Sequence, residues 1–242
     1  MIIGVLHPGA MGSAVGNGLV DAGHDVVWAS DGRSAETTAR AARFRDCGTL
    51  AALADEAELI LSICPPHAAL GVARAVEGFD GVYVDANAIS PARAHEVAAT
   101  QQRFVDGGIV GGPPSRAGET RLYLSGDGAS DVAALFAETI VEPRVVADAS
   151  AFKMVYAAWT KGTAALLLSI RDVAVHYRVD EALAVEWSDS LPELVDRLPA
   201  AERSAAAKGW RWAGEMDEIA DTFAAAGAPR GFHDAAAEVY RS

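Results

Sequence analysis

Over its first 146 residues the chain alternates between short apolar runs of β character and amphipathic stretches, and from about residue 150 the β signal stops. The β-like runs fall at 2–6, 25–29, 59–63, 82–85, 104–106, 122–125 and 144–146, with helical segments such as 11–22 and 68–76 between them. Strands that alternate with helices pair in parallel through right-handed crossovers. Several runs are apolar at every position, the pattern of strands covered on both faces. The expected fold class is therefore α/β, a doubly wound, mostly parallel sheet over residues 1–149. A small all-helical C-terminal domain is expected over 150–242. Its first stretch, 150–176, is apolar nearly all round and so central and buried. Further helices are expected near 180–197, 199–208, 214–226 and 232–241, with Pro199 at a helix start and Gly227 just past a helix end.

The opening run MIIGVL leads directly into HPGAMG (7–12) and then a helical pattern. Strand, glycine turn and helix in that order give a dinucleotide fingerprint its meaning, and mark the sheet as Rossmann-like. Gly9 and Gly12 stand at the second and third glycine positions, for close phosphate approach and for helix–strand packing. The first is His7, followed by Pro8, so the backbone there must avoid the left-handed region or tolerate it at a cost. Pro8 has no N–H, but the donors useful to a pyrophosphate lie later, around Ala10 and Met11, where the helix N-terminus favours anions. After the second run comes Ser30-Asp31-Gly32-Arg33-Ser34. An arginine here suits the 2′-phosphate of NADP; Asp31 leaves NAD open.

Composition closes off other classes. A net charge of −13 argues against a nucleic-acid binder, whose affinity comes from neutralising phosphates. The two cysteines, Cys47 and Cys64, read as free thiols packed as small hydrophobes, and the six histidines show no metal-ligand spacing. The longest apolar run, 162–170, is too short to span a bilayer, and the N-terminus leaves no room for a signal peptide. A cytoplasmic protein with no membrane partner and no metal is expected.

Several stretches together resemble the β-hydroxyacid dehydrogenase superfamily, which includes 3-hydroxyisobutyrate dehydrogenase, 6-phosphogluconate dehydrogenase and the imine reductases. HPGAMG with GLVDAGHDV (18–26) is similar to G-L-G-x-M-G…L-x-x-A-G-H-x-V, SICPPHAAL (62–70) to S-x-L-P-x-x-x-x-V, and VDANAISP (84–91) to V-D-x-S-T-I-S-P. FVDGGIVGG (104–112) resembles the substrate-loop motif F-V-D-A-P-V-S-G-G, and ASAFKMVY (149–156) stands where the family's interdomain helix carries a lysine. YAAWTKG and KGWRWAGEM resemble a short phosphogluconate-dehydrogenase-like subgroup with a reduced helical domain.

The resemblance implies an NAD(P)-dependent dehydrogenase or reductase acting on the CH–OH group of a small hydroxy or keto acid, working as a homodimer. It assigns Lys153 as catalytic base, and Tyr156, one turn on, as orienting the substrate or donating a proton. The apolar neighbours of Lys153 favour a lowered pKa. Cofactor contacts are implied for His7, Pro8, Gly9, Ala10, Met11, Gly12, Ser30, Arg33, Ser34, Cys64, Pro65, Asn87 and Lys208. Substrate contacts are implied for Asp106, Gly111, Gly112 and Lys161, the last expected on roughly the side of α-helix that carries Lys153. Two departures bear on substrate: Ala157 replaces the family's asparagine and Val110 its loop serine. Imine reduction is one alternative, although those enzymes usually carry Asp or Tyr at the position of Lys153. A catalytically silent NADPH-binding protein is the other.

Overall fold

The computed structural model describes residues 1–242. In chain order the elements are β1 (Ile2–Val5), α1 (Ala10–Asp21), β2 (Asp25–Trp28), α2 (Ala35–Arg40), β3 (Arg45–Asp46), α3 (Leu50–Glu56) and β4 (Leu59–Ser62). After a short 3-10 turn at Pro66–Ala68 come α4 (Ala69–Arg74), β5 (Val82–Asp85), α5 (Pro91–Ala98), β6 (Phe104–Val110), β7 (Thr120–Ser125), α6 (Ala129–Leu135) and β8 (Val141–Val145). The rest is helical: α7 (Ala149–Tyr177), α8 (Asp180–Ser190), α9 (Glu193–Ala225) and α10 (Gly231–Arg241).

The strands form one sheet in the order β3-β2-β1-β4-β5-β6-β7-β8. Pairing is parallel throughout except between β6 and β7. The order reverses at β1, whose neighbours are β2 and β4, and such a switch point opens a crevice outside the carboxyl ends of the strands. Both faces of the sheet are buried. Ile3, Val5, Val84, Val105 and Leu124 join one apolar cluster, while Val27, Ile60 and Tyr83 join another. This explains the unbroken apolar runs of β1 and β4. Gly12 lets α1 lie on the end of β1, because a Cβ there would fall 2.4 Å from the His7 carbonyl oxygen.

The chain divides into two compact units, Met1–Lys153 and Met154–Ser242, so the division lies within α7. In the second unit α9 presents a face of Ala201, Gly209, Ala213, Met216 and Ala220, all buried at helical spacing. That face corrects the expected helix limits. The spans 199–208 and 214–226 are parts of one helix that carries Pro199 inside it, and the break falls earlier, at Leu191–Pro192. The residue before a proline is driven out of the α region, which ends α8; Pro199 removes one backbone bond, a loss of about 3 kcal/mol that packing of the continuous face outweighs. The short edge strand β3, whose two residues are polar, was not expected. β6 runs on to Val110, four residues beyond the expected 104–106, because its glycines pair like any other residue. No helix is long and apolar enough to cross a membrane.

Candidate functional site

The parallel strands β1, β2, β4, β5 and β6 all end at one edge of the sheet, and the loops that follow them carry most of the residues singled out in the sequence. After β1 the loop turns through His7, Pro8 and Gly9 into α1. Gly9 is the N-cap, and no side chain caps the helix. The Gly9 N–H donates to the His7 carbonyl at 2.8 Å, and the first bond to return along the helix runs from the Ser13 N–H to the Gly9 carbonyl. The N–H groups of Ala10, Met11 and Gly12 are thus the free donors of a helix N-terminus. His7 keeps a negative φ, since Arg178 is the one non-glycine residue with a positive value. The loop therefore reaches its shape without the first glycine of the usual fingerprint.

Gly9 itself is not required by conformation or by packing. Its φ is −69°, and a Cβ added there would meet nothing within 4 Å. A bare glycine facing open space at an uncapped helix N-terminus suits a phosphate group, for which these are the fitting donors. Two buried polar atoms without a hydrogen-bond partner lie beside this loop, His7 Nδ1 and Arg33 Nε. The Arg33 guanidinium donates from Nη2 to the Leu6 carbonyl at 3.2 Å, so it is folded back over the end of β1. Burial, and then the Arg33 charge, push the His7 imidazole down to about 4.

The other members of the β2 loop are tied into its own turn. The Ser30 N–H donates to Asp46 Oδ1 at 3.2 Å, and the Ser34 hydroxyl caps α2 by accepting from the Thr37 N–H at 3.2 Å. After β4, the Cys64 N–H donates to Asn87 Oδ1 at 2.5 Å. The Asn87 carboxamide in turn donates to Ser62 Oγ at 3.1 Å and to Asp85 Oδ2 at 2.9 Å. Asn87 is thereby a brace that joins the ends of β4 and β5, and it holds the Cys64–Pro65 loop. Burial pushes the Cys64 thiol up to about 12, with Asp85 adding to the effect, so Cys64 is a protonated thiol and no nucleophile. Burial also raises the Asp85 carboxyl to about 7, against the pull of its hydrogen bonds from Asn87.

Beyond β6, Gly111 adopts φ +117°, and a Cβ there would fall 2.2 Å from the Glu119 carbonyl oxygen. Gly112 is exposed, with its carbonyl accepting from Thr120 Oγ1 at 2.6 Å. The two cations of this loop bond within it: Arg116 pairs with Glu119 at 2.6 Å, and Arg121 donates to the Gly118 carbonyl at 3.0 Å. Val110, in place of a serine, is buried with Tyr123 and Ala149. Lys153 rests its Cβ over Gly108, where an added Cβ would come within 2.8 Å, and its Nζ donates to the Ile109 carbonyl at 2.7 Å.

Not every expected residue lies in these loops. Asp106 lies along β6 with its carboxylate bonded to Ser125 and Ser150. Lys161 is buried in the helical unit, paired with Glu215 at 2.7 Å and close to the Trp212 ring. Eight residues turn a helix by about 80° past two full turns, which takes Lys161 away from the side of Lys153. Lys208 is an exposed residue of α9, and Tyr156 is half-exposed on α7. Ser62, Asp85 and Ser125 are functional neighbours that the sequence reading missed, although a signal existed: LILS, VYVD and LYLS each close an apolar run on a polar residue.

The low His7 value gives a signed expectation. The unfolded imidazole takes up a proton near 6.5, and the folded one only near 4, so the fold loses stability as pH falls through that window. Relative to His7→Gln, the wild type should weaken progressively in urea titrations as pH falls from about 6.5 to about 4, and should hold a constant difference at neutral pH and above. Parallel pH profiles for the two proteins would contradict this.

Residues 2–88 match a family model described as NADP oxidoreductase coenzyme F420-dependent, and residues 174–242 match a domain of unknown function. A conserved protein of unknown function, whose solved structure was reported as similar to 3-hydroxyacid dehydrogenases, is 25% identical. It aligns over 100% of this chain and 96% of its own, with a TM-score of 0.75. The 3-hydroxyisobutyrate dehydrogenase of Salmonella typhimurium is 15% identical over 100% of this chain and 93% of its own, with a TM-score of 0.72, a likeness of fold. An uncharacterized 28.5 kDa protein of Methanothermus fervidus is 31% identical over 50% of this chain and 50% of that protein, so the chain spans about half the length of the curated relative it matches. With a nucleotide-type sheet followed by a helical C-terminal region, this chain has a 3-hydroxyacid dehydrogenase-like fold.

Proposed function

We propose that the chain is an NADP-dependent oxidoreductase that acts on the CH–OH group of a small hydroxy or keto acid, with Lys153 handling the proton. The observation that carries this reading is that one sheet edge holds both the uncapped, bare-glycine end of α1 and the Lys153 ammonium. The description of the matched family model names NADP, and the Salmonella protein's name points to the same class of substrate.

In this reading the N–H groups of Ala10, Met11 and Gly12 hold the pyrophosphate, and Arg33 turns its unpartnered Nε and its guanidinium to the ribose phosphate. Cys64 and Pro65, held by Asn87, border the nicotinamide, and Gly111 and Gly112 border the substrate. The bound nicotinamide supplies the hydride acceptor or donor. The chain's own part is proton transfer and placement. Unprotonated, Lys153 Nζ accepts the proton of the substrate hydroxyl; in the reverse direction its ammonium donates to the carbonyl oxygen. The Ile109 carbonyl fixes the direction of Nζ. Asp106 and Lys161 are given no substrate contact, since their side chains are engaged by Ser125 and Ser150 and by Glu215.

A second copy of the chain is proposed to cover α7. Val155, Trp159, Leu166, Val173 and Tyr177 are 46% to 70% exposed. At 3.6 residues per turn they fall within about 40° of one another, an apolar stripe too continuous for a solvent face.

Calorimetry tests the cofactor. NADPH should bind more tightly than NADH, and Arg33→Ala should remove about 1.5–3 kcal/mol from NADPH alone. Equal affinities in both proteins would overturn the NADP assignment. For the dimer, light scattering should return twice the chain mass of 25.1 kDa, and half of that value for Trp159→Glu/Val173→Glu. A wild-type mass of one chain would refute it.

A further inference from the structure

Four strands carry polar residues in one continuous cross-strand row. Ser62 on β4 pairs in register with Asp85 on β5, Asp85 with Asp106 on β6, and Asp106 with Ser125 on β7. Polar side chains in the middle of an apolar sheet are costly unless each finds partners, so the partners tell what the row is for. One end is the Asn87 brace. The other end is the first turn of α7, and Asp106 is its hub.

Asp106 Oδ2 accepts from the Ser150 N–H at 2.7 Å and from the Ser125 hydroxyl at 3.1 Å, while Oδ1 accepts from the Ser150 hydroxyl at 2.6 Å. The Ser125 oxygen accepts the Ala149 N–H at 2.8 Å, and Asp148 Oδ1 accepts the Ala151 N–H at 2.7 Å. The first three N–H groups of α7 are thus all satisfied, two of them by side chains that belong to the sheet. A carboxylate at this end of the helix is also favoured by the helix dipole. Lys153 sits three residues beyond Ser150, on the same side of the turn. Its Cβ lies over Gly108, two residues along the same face of β6 from Asp106, and its Nζ reaches the carbonyl of Ile109, three residues on from Asp106. The contacts at 106, 108 and 109 fix where the turn begins, how closely it approaches and where the ammonium points.

We propose that Asp106 is a positioning residue: with Ser125 it pins the first turn of α7 to β6 and β7, and so aims Lys153 Nζ along the C-terminal end of β6. The claim deepens the proposed function, because it matters to chemistry only if Lys153 is the proton-transfer group. Burial works against the pin by raising the Asp106 carboxyl, and the hydrogen bonds from Ser150 and Ser125 work for it. Asp106→Asn keeps the shape of the side chain but removes its charge and one of the two acceptor oxygens that the Ser150 N–H and the two serine hydroxyls share.

The chain is suited to a direct test because it has three lysines, Lys153, Lys161 and Lys208. Reductive methylation with 13C-formaldehyde gives each a separate resonance, assigned by Lys→Arg variants. In the full-length wild type the Lys153 signal should stand apart from that of exposed Lys208. In Asp106→Asn the Lys153 shift should move toward that of Lys208. Lys161 should stay in place, and the Kd for NADPH should change by no more than about twofold. A Lys153 signal that stays where it is in the wild type would overturn the proposal, as would equal movement of Lys153 and Lys161, which would report a general loosening. Should Asp106→Asn fail to fold, Ser125→Ala, which removes one hydroxyl from the pin, is read by the same criteria. The lysine signals need no cofactor. A wild type that does not bind NADPH therefore strikes down the proposed function and leaves the comparison of lysine signals to decide this one.

Discussion

Parallel pairing from β3 through β6 is the constraint on which the site depends. Because these strands run in one direction, their carboxyl ends share an edge, and loops far apart in sequence become neighbours. Residues 7–12, 30–34, 64–65, 87 and 111–112 meet there for that reason and no other. The reversal of strand order at β1 opens the crevice, and the close fit of Gly12 against the His7 carbonyl sets the angle at which α1 presents its N-terminus to it.

A second theme is how buried charge is managed. Asp85 and Asp106 are neighbours in register, and both are raised by burial; the Asp106 charge adds to the effect at Asp85 and the Asp148 charge to that at Asp106. Each is offset by donors placed for it: the Asn87 main chain and carboxamide on Asp85, and Ser125 and Ser150 on Asp106. Neither carboxylate has a cation for a partner. Instead, each draws two segments together, the β4 and β5 ends in one case and the sheet and α7 in the other. The helical unit solves the same problem with an ion pair, Lys161 and Glu215, both largely buried. Removing one member of such a pair leaves the other charge buried without a partner, which costs more than the pair itself contributes.

Much of the first unit was legible from the sequence because its signals are local. Continuous apolar runs mark two-sided strands, and glycine positions mark the turn into α1. The place of Lys153 followed from the motif around it. What was not legible depended on register and on long-range packing. That Asp106 bonds Ser150 rather than a ligand follows from β6 lying between β5 and β7, which no local pattern states. Lys161 looked like a second ligand because spacing was counted in whole turns, and a helix drifts from whole turns within two of them. Pro199 looked like a helix start because the buried face of α9 is written in alanine and glycine, a weak hydrophobic signal.

The central claim is that the Lys153 amine at the end of β6 moves the proton in a hydride transfer. The most direct measurement is the rate of NADPH oxidation, or NADP reduction, followed by absorbance across a panel of hydroxy acids, keto acids, aldehydes and cyclic imines, in wild type and in Lys153→Met. With a substrate that turns over, the variant should lose about 100- to 10,000-fold in kcat while its affinity for NADPH stays within about twofold. A Lys153→Met protein that keeps its rate on that substrate would contradict the account.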